Sequence, residues 1–171
     1  MPNITPHRAE FRTGLSAEEE KLILHFFVLF ARFESALKQV PEFRKVNGNN
    51  KKLEPKWTEF AKSIEDKADY SINLKLSYAM RTILQNPPKI QCCEHGRVIW
   101  KENRIDSGSD TNKASTHIRT IRNNLFHGAK FEEGFSEANT RNTRLIEMCI
   151  TILEYWLTLD ARVSHQYNRF R

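Results

Sequence analysis

A chain of 171 residues with a net charge of +6 can bury a real core but is too short for two ordinary domains, so one domain over 1–171 is expected. Three cysteines, with Cys92 next to Cys93, give an odd count without disulfide-like spacing and disfavour a stapled secreted scaffold. Met1 to Gly14 lacks the apolar stretch of a signal peptide, and the most apolar run, Leu22 to Ala31, is too short for a bilayer and contains His25. A cytoplasmic chain with no membrane role is the expectation.

Ser16 followed by Glu19 makes a capping box, so a long helix should begin there. Leu22, Phe26, Leu29, Phe30, Phe33 and Leu37 recur at helical spacing, Ile23 and Phe27 widen the stripe, and Pro41 marks the end. Glu34 can face a site, although an i,i+4 pair with Lys38 is the simpler role. Asn47 to Lys52 reads as a polar loop. From about Pro55 the residues Trp57, Phe60, Ala61 and Ile64 restore helical spacing.

Leu74, Leu76, Tyr78, Ala79 and Ile83 suggest a further helix, stopped by Asn86-Pro87-Pro88 because a residue before proline is biased away from helical geometry. Ile90 to Cys93, His95-Gly96 and Val98 to Trp100 read as a small β-hairpin, the only strand-like pattern along the chain. Ser107 to Asp110 supplies caps for a helix with Ala114, Ile118, Ile121 and Leu125 on one stripe, and Gly128 suits its C-terminal cap. The last helix carries Leu145, Met148, Ile152, Trp156, Leu159 and Val163 on one stripe and Ile146, Ile150, Leu153 and Leu157 on a second. Two apolar stripes suggest either burial against another subunit or a central helix.

Near the end of the capped helix stands Arg122-Asn123-Asn124-Leu125-Phe126-His127-Gly128. From Thr111 to Phe131 there is no Asp or Glu, while Lys113, Arg119, Arg122 and Lys130 supply cations. A guanidinium can hold a phosphoryl oxygen in bidentate fashion, and an imidazole titrates near neutrality. That pair suits phosphate chemistry. A basic run alone is more often a solvated helix face, and a single His at a helix end is more often a cap.

The pattern R-N-x-x-x-H closely resembles the signature of the HEPN superfamily, helical domains of which many are metal-independent endoribonucleases and some are inactive binding modules. The resemblance runs over the scaffold from Ser16 to Val163 and is specific around Arg119 to Phe131. It implies an all-α fold, a HEPN-like up-down bundle of four to five helices, core about 16–163; the hairpin at about 89–103, in a segment without a general superfamily signature, reads as an insertion beside that bundle. It also implies a homodimer, since HEPN motifs commonly meet across two subunits or domains. Spacing agrees: at ~100° per residue Asn123 and His127 share a face, while Arg122 lies roughly 140° from His127, so one helix does not aim both at one phosphate.

The expected activity is metal-independent cleavage of single-stranded RNA by attack of the ribose 2′-hydroxyl on the adjacent phosphate, with no cofactor. Arg122 is expected to bind the scissile phosphate and stabilise its charge. Asn123 orients His127 or the phosphate, and His127 serves as acid or base, its helix C-terminal position favouring the acid or electrostatic role. Arg119, Lys130 and His117 are expected on the RNA-binding surface. The family adds the setting of a toxin or antiphage effector with an antitoxin or regulatory partner. The alternatives are an inactive HEPN-like module that binds RNA or nucleotides or scaffolds a partner, and a helical structural domain in which the motif arose by chance. Cys92, Cys93, Glu94 and His95 offer ligand-type side chains without the second cluster a zinc site needs.

Overall fold

The structure is a computed structural model that describes residues 15–126 and 137–169. Helix α1 (Ala17–Gln39) begins at Ser16, whose hydroxyl accepts from the Glu19 N–H at 3.3 Å while the Glu19 carboxylate accepts from the Ser16 N–H at 2.8 Å. Both halves of the capping box are therefore present. Phe26, Leu29, Phe30, Phe33, Ala36 and Leu37 are buried, and Leu22 and Ile23 pack at the margin. Each large side chain buried in this way stabilises the fold by about 1.5–3 kcal/mol. Phe27, expected to widen the stripe, lies largely exposed.

The helix closes at Val40, and a single 3-10 turn, Pro41–Phe43, leads into strand β1 (Arg44–Asn47), which pairs antiparallel with β2 (Lys52–Pro55). Gly48 and Lys51, with φ of +67° and +54°, make the turn between them. Helix α2 (Trp57–Glu65) buries Trp57, Phe60 and Ile64, and the Trp57 ring stacks on both Phe30 and Phe33 with centroids 5.3 Å apart. Helix α3 (Leu74–Gln85) is capped by Asn73, whose side chain accepts from the Leu76 N–H at 2.8 Å, and stops at Asn86-Pro87-Pro88.

Strands β3 (Lys89–Glu94) and β4 (Arg97–Glu102) pair in register from Lys89↔Glu102 to Glu94↔Arg97. Their two-residue turn, His95-Gly96, has φ of +51° and +75°, the positive values that a tight hairpin turn demands. Helix α4 (Asp110–Phe126), α5 (Glu137–Leu159) and α6 (Ala161–Asn168) complete the chain. α5 packs on α1 and α3, α4 on α2 and α3, and α6 against α1. A polar relay crosses this core: Trp156 Nε1 donates to the Tyr70 hydroxyl at 3.0 Å, which stands 2.7 Å from Thr111 Oγ1.

The expected all-α, up-down bundle of four to five helices with one hairpin is overturned. Six helices and two separate two-stranded antiparallel sheets stand among the described residues, a mixed α/β arrangement that is mostly helical. The β1–β2 hairpin leaves no mark in the sequence because each strand has four residues and offers one large aliphatic side chain, Val46 or Leu53, both exposed. No alternation of burial exists to be read. The last helix also divides, at Asp160, whose carboxylate accepts from the Arg162 and Val163 N–H groups and restarts the chain as α6. Both apolar stripes of α5 are largely covered within the chain, with Leu145, Ile146, Met148, Ile150, Ile152, Leu153 and Trp156 all buried. The stripes are those of a central helix and do not argue for a second subunit. No helix among the described residues is long and apolar enough to cross a membrane.

Candidate functional site

The motif helix α4 starts at Ser109, whose carbonyl accepts from the Lys113 N–H at 2.9 Å and whose hydroxyl accepts from the Asn112 N–H at 3.3 Å. Ala114, Ile118 and Ile121 are buried and Leu125 half-buried, as the stripe requires. This apolar anchoring fixes the rotation of the helix and so decides where each polar residue points.

Arg122 is half-buried, with its guanidinium carbon 5.5 Å from the centroid of the Phe30 ring on α1. A cation over an aromatic face is attracted by the ring quadrupole, and the contact restricts a long, otherwise mobile side chain. Arg122 Nη1 also donates to the amide oxygen of Asn123 at 3.1 Å. The two neighbouring motif residues thus act on each other, and the Asn123 oxygen serves the arginine. Asn124 turns the other way and donates from Nδ2 to the Lys89 carbonyl at 2.8 Å, tying the last turn of α4 to the start of β3. Arg119 is exposed. His127 and Lys130 lie outside the described residues.

His117 is not on the expected RNA-binding surface. It is 3 % exposed, its Nδ1 is buried without a hydrogen-bond partner among the described residues, and burial holds its pKa below the usual histidine value. Its angular position on α4 explains the correction: His117 falls beside buried Ala114 and Ile121, whereas Arg119 falls on the outer face. His117 contributes instead to the wall of a cavity of about 380 Å³, with Asp110 and Lys113 from α4 and Glu102, Arg104 and Asp106 from the end of β4 and the connection after it. Among the described residues no three His, Cys, Asp or Glu side chains stand together as a metal-binding group.

Glu34 does not pair with Lys38; its carboxylate accepts from Trp57 Nε1 at 3.1 Å. The indole it holds stacks on Phe30, the ring beneath Arg122. Glu34, Trp57, Phe30 and Arg122 therefore form one line of contacts that runs from α1 to α2, back to α1 and on to α4. In the sequence Phe30 and Trp57 carry only the signal of core residues, and the adjacency of an acidic residue to the aromatic Phe33 is the sole hint of a polar role there.

No family model, curated protein or solved structure matches this chain. What the site can do follows from its own side chains. A guanidinium steadied by an aromatic face and an amide presents donors in a planar fork, the geometry that suits a phosphate better than a compact, strongly hydrated ammonium does.

Proposed function

We propose that this protein is a metal-independent endoribonuclease that cuts single-stranded RNA, as the resemblance of R-N-x-x-x-H to the HEPN signature implies. The observation that carries the reading is Arg122, held against Phe30 and bonded to Asn123 at the end of a helix whose second half bears no carboxylate. In the proposed step the 2′-oxygen bonds to phosphorus as the bond to the 5′-oxygen breaks. The proton of the 2′-hydroxyl goes to a base, the departing oxygen gains one, and the products are a 2′,3′-cyclic phosphate and a 5′-hydroxyl. Arg122 offsets the charge that accumulates on the equatorial oxygens. His127 supplies or removes a proton, with the acid or electrostatic role favoured by its place in the sequence directly after Phe126, the last residue of α4. DNA, lacking the nucleophile, resists.

The proposal includes a homodimer in which Arg122 of one copy and His127 of the other meet at one phosphate, because the two lie roughly 140° apart on an ideal helix. A toxin or antiphage effector held in check by an antitoxin or regulatory partner is the setting it suits.

The test is cleavage of labelled single-stranded RNA in excess chelator by the parent, Arg122→Ala and His127→Ala, with the size of each protein measured in the same buffer. Cleavage by the parent alone, with cyclic phosphate ends, is expected. Equal products from all three proteins overturn the assignment, and binding without cleavage by the parent replaces it with the inactive RNA-binding module. A parent that cleaves as a strict monomer removes the shared cleft.

A further inference from the structure

A second basic site lies away from the motif, in a groove of about 480 Å³ between α3 and the N-terminal half of α5. Arg81 and Arg144 line it from the two helices, together with Tyr78, Thr82, Gln85 and Asn86. The lining contains no carboxylate, and neither arginine forms an ion pair with one among the described residues. The Arg144 guanidinium carbon sits 4.9 Å from the centroid of the Tyr78 ring, which restrains it as Phe30 restrains Arg122. The Tyr78 hydroxyl is buried and has no hydrogen-bond partner among the described residues.

Two guanidiniums, the Gln85 amide and the Thr82 hydroxyl around one groove, with the Asn86 amide already donating to the Thr82 carbonyl at 3.1 Å, form a donor-rich set whose charge calls for an anion. The neighbouring cavity at His117 shares Gln85 and Asn86 with this groove but carries Glu102, Asp106 and Asp110, which repel a phosphate. The groove and the motif helix are also near one another. Asn86 precedes Lys89 by three residues, at most ~11 Å of chain, and the Lys89 carbonyl is the one bonded by Asn124.

We propose that Arg81 and Arg144 form a phosphate-binding site that takes a backbone phosphate of the RNA strand cut at Arg122. This rests on the ribonuclease reading for the identity of the strand, whereas the phosphate chemistry of the groove stands on its own residues. A strand held at two places would be registered relative to the reacting phosphate without being read for its sequence.

The test uses a fluorescent, uncleavable 2′-O-methyl RNA oligomer and, separately, inorganic pyrophosphate, with the full chain, the double variant Arg81→Gln/Arg144→Gln, and Arg122→Ala. The double variant is expected to bind the oligomer about tenfold more weakly at low salt. Its slope of log affinity against log salt should shrink by ~0.7, the change expected when one phosphate of a single strand is no longer neutralised. Its melting temperature should fall by no more than about 4 °C, since both arginines are exposed and only the Arg144 contact with Tyr78 is lost. Arg81→Lys/Arg144→Lys should fall between, because charge remains but the bidentate fork is gone. Unchanged affinity and salt slope in the double variant overturn the site even if the parent cleaves RNA. Weakened binding by the double variant with a parent that never cleaves retains the site and removes the nuclease. Pyrophosphate binding abolished in the double variant, with RNA binding intact, overturns the RNA assignment in favour of a free phosphorylated ligand.

Discussion

The guanidinium of Arg122 rests 5.5 Å from the centre of the Phe30 ring, so the motif arginine of α4 is seated on a side chain of α1. Phe30 is itself buried, and its other neighbours include Phe26 and the stacked Trp57. Phe30→Leu keeps an apolar filler and removes the aromatic face. A contact of this kind contributes about 0.5–1 kcal/mol at a partly exposed site, so the proposed RNA cleavage should fall by about two- to fivefold. Single-turnover rates at saturating RNA check it, with a denaturation curve to verify that the variant is folded; an unchanged rate would show that the ring does not position Arg122.

Glu34 should matter through Trp57. Removing its carboxylate as Glu34→Ala leaves a buried indole N–H without an acceptor, at a cost of about 1–3 kcal/mol, while Glu34→Gln keeps an oxygen and recovers most of it. Urea midpoints of the three proteins decide the matter. Equal midpoints for parent and alanine variant would refute the structural role.

Asp160 restarts the chain after α5. Its carboxylate is buried; burial pushes its pKa up, but hydrogen bonds from the Arg162 side chain and from the Val163 and Arg162 N–H groups outweigh this and hold it below the usual aspartate value. A depressed carboxyl stabilises the fold fully above its unfolded value of ~3.9, and that contribution is lost as the pH falls through the lower folded value. Asp160→Ala should therefore destabilise at pH 7 by about 1–2 kcal/mol, the usual worth of such a cap, with Asp160→Asn costing less. The deficit of Asp160→Asn should shrink on acidification below pH ~4, and a deficit independent of pH would contradict the charge-based account.

His117 gives a window nearer neutrality. Because burial lowers its pKa, the unfolded chain binds the proton first, and stability present above ~6.5 is lost as the pH falls toward the folded value. His117→Gln, neutral at every pH, should show a smaller loss of stability than the parent between about pH 7.5 and 5.5. Identical losses would mean that His117 titrates as an open side chain. RNA affinity at about pH 7.5 is expected to be the same in both, since the ring lies away from the outer face that carries Arg119.

Much of the local architecture is written in short stretches of chain. Ser16 and Glu19 close their capping box within one turn, Asn86-Pro87-Pro88 ends α3, and His95-Gly96 folds β3 onto β4, each through contacts between residues a few positions apart. The fold class departs from expectation where the local signal is weak. Strands β1 and β2 bury almost nothing large, so their pairing leaves no apolar period. The break at Asp160 lies inside an unbroken apolar stripe, because Leu159 and Val163 keep helical spacing across it.

The candidate site divides in the same way. That Arg122, Asn123 and His127 share a short stretch of chain free of acids is legible in the chain alone, because spacing and composition are properties of the covalent sequence. That Arg122 lies over Phe30, that Glu34 serves Trp57, that His117 is buried, and that Arg81 and Arg144 share a groove came only from the packed molecule. Each depends on the rotation of one helix against another, and that angle is set by the fit of side chains from distant parts of the chain.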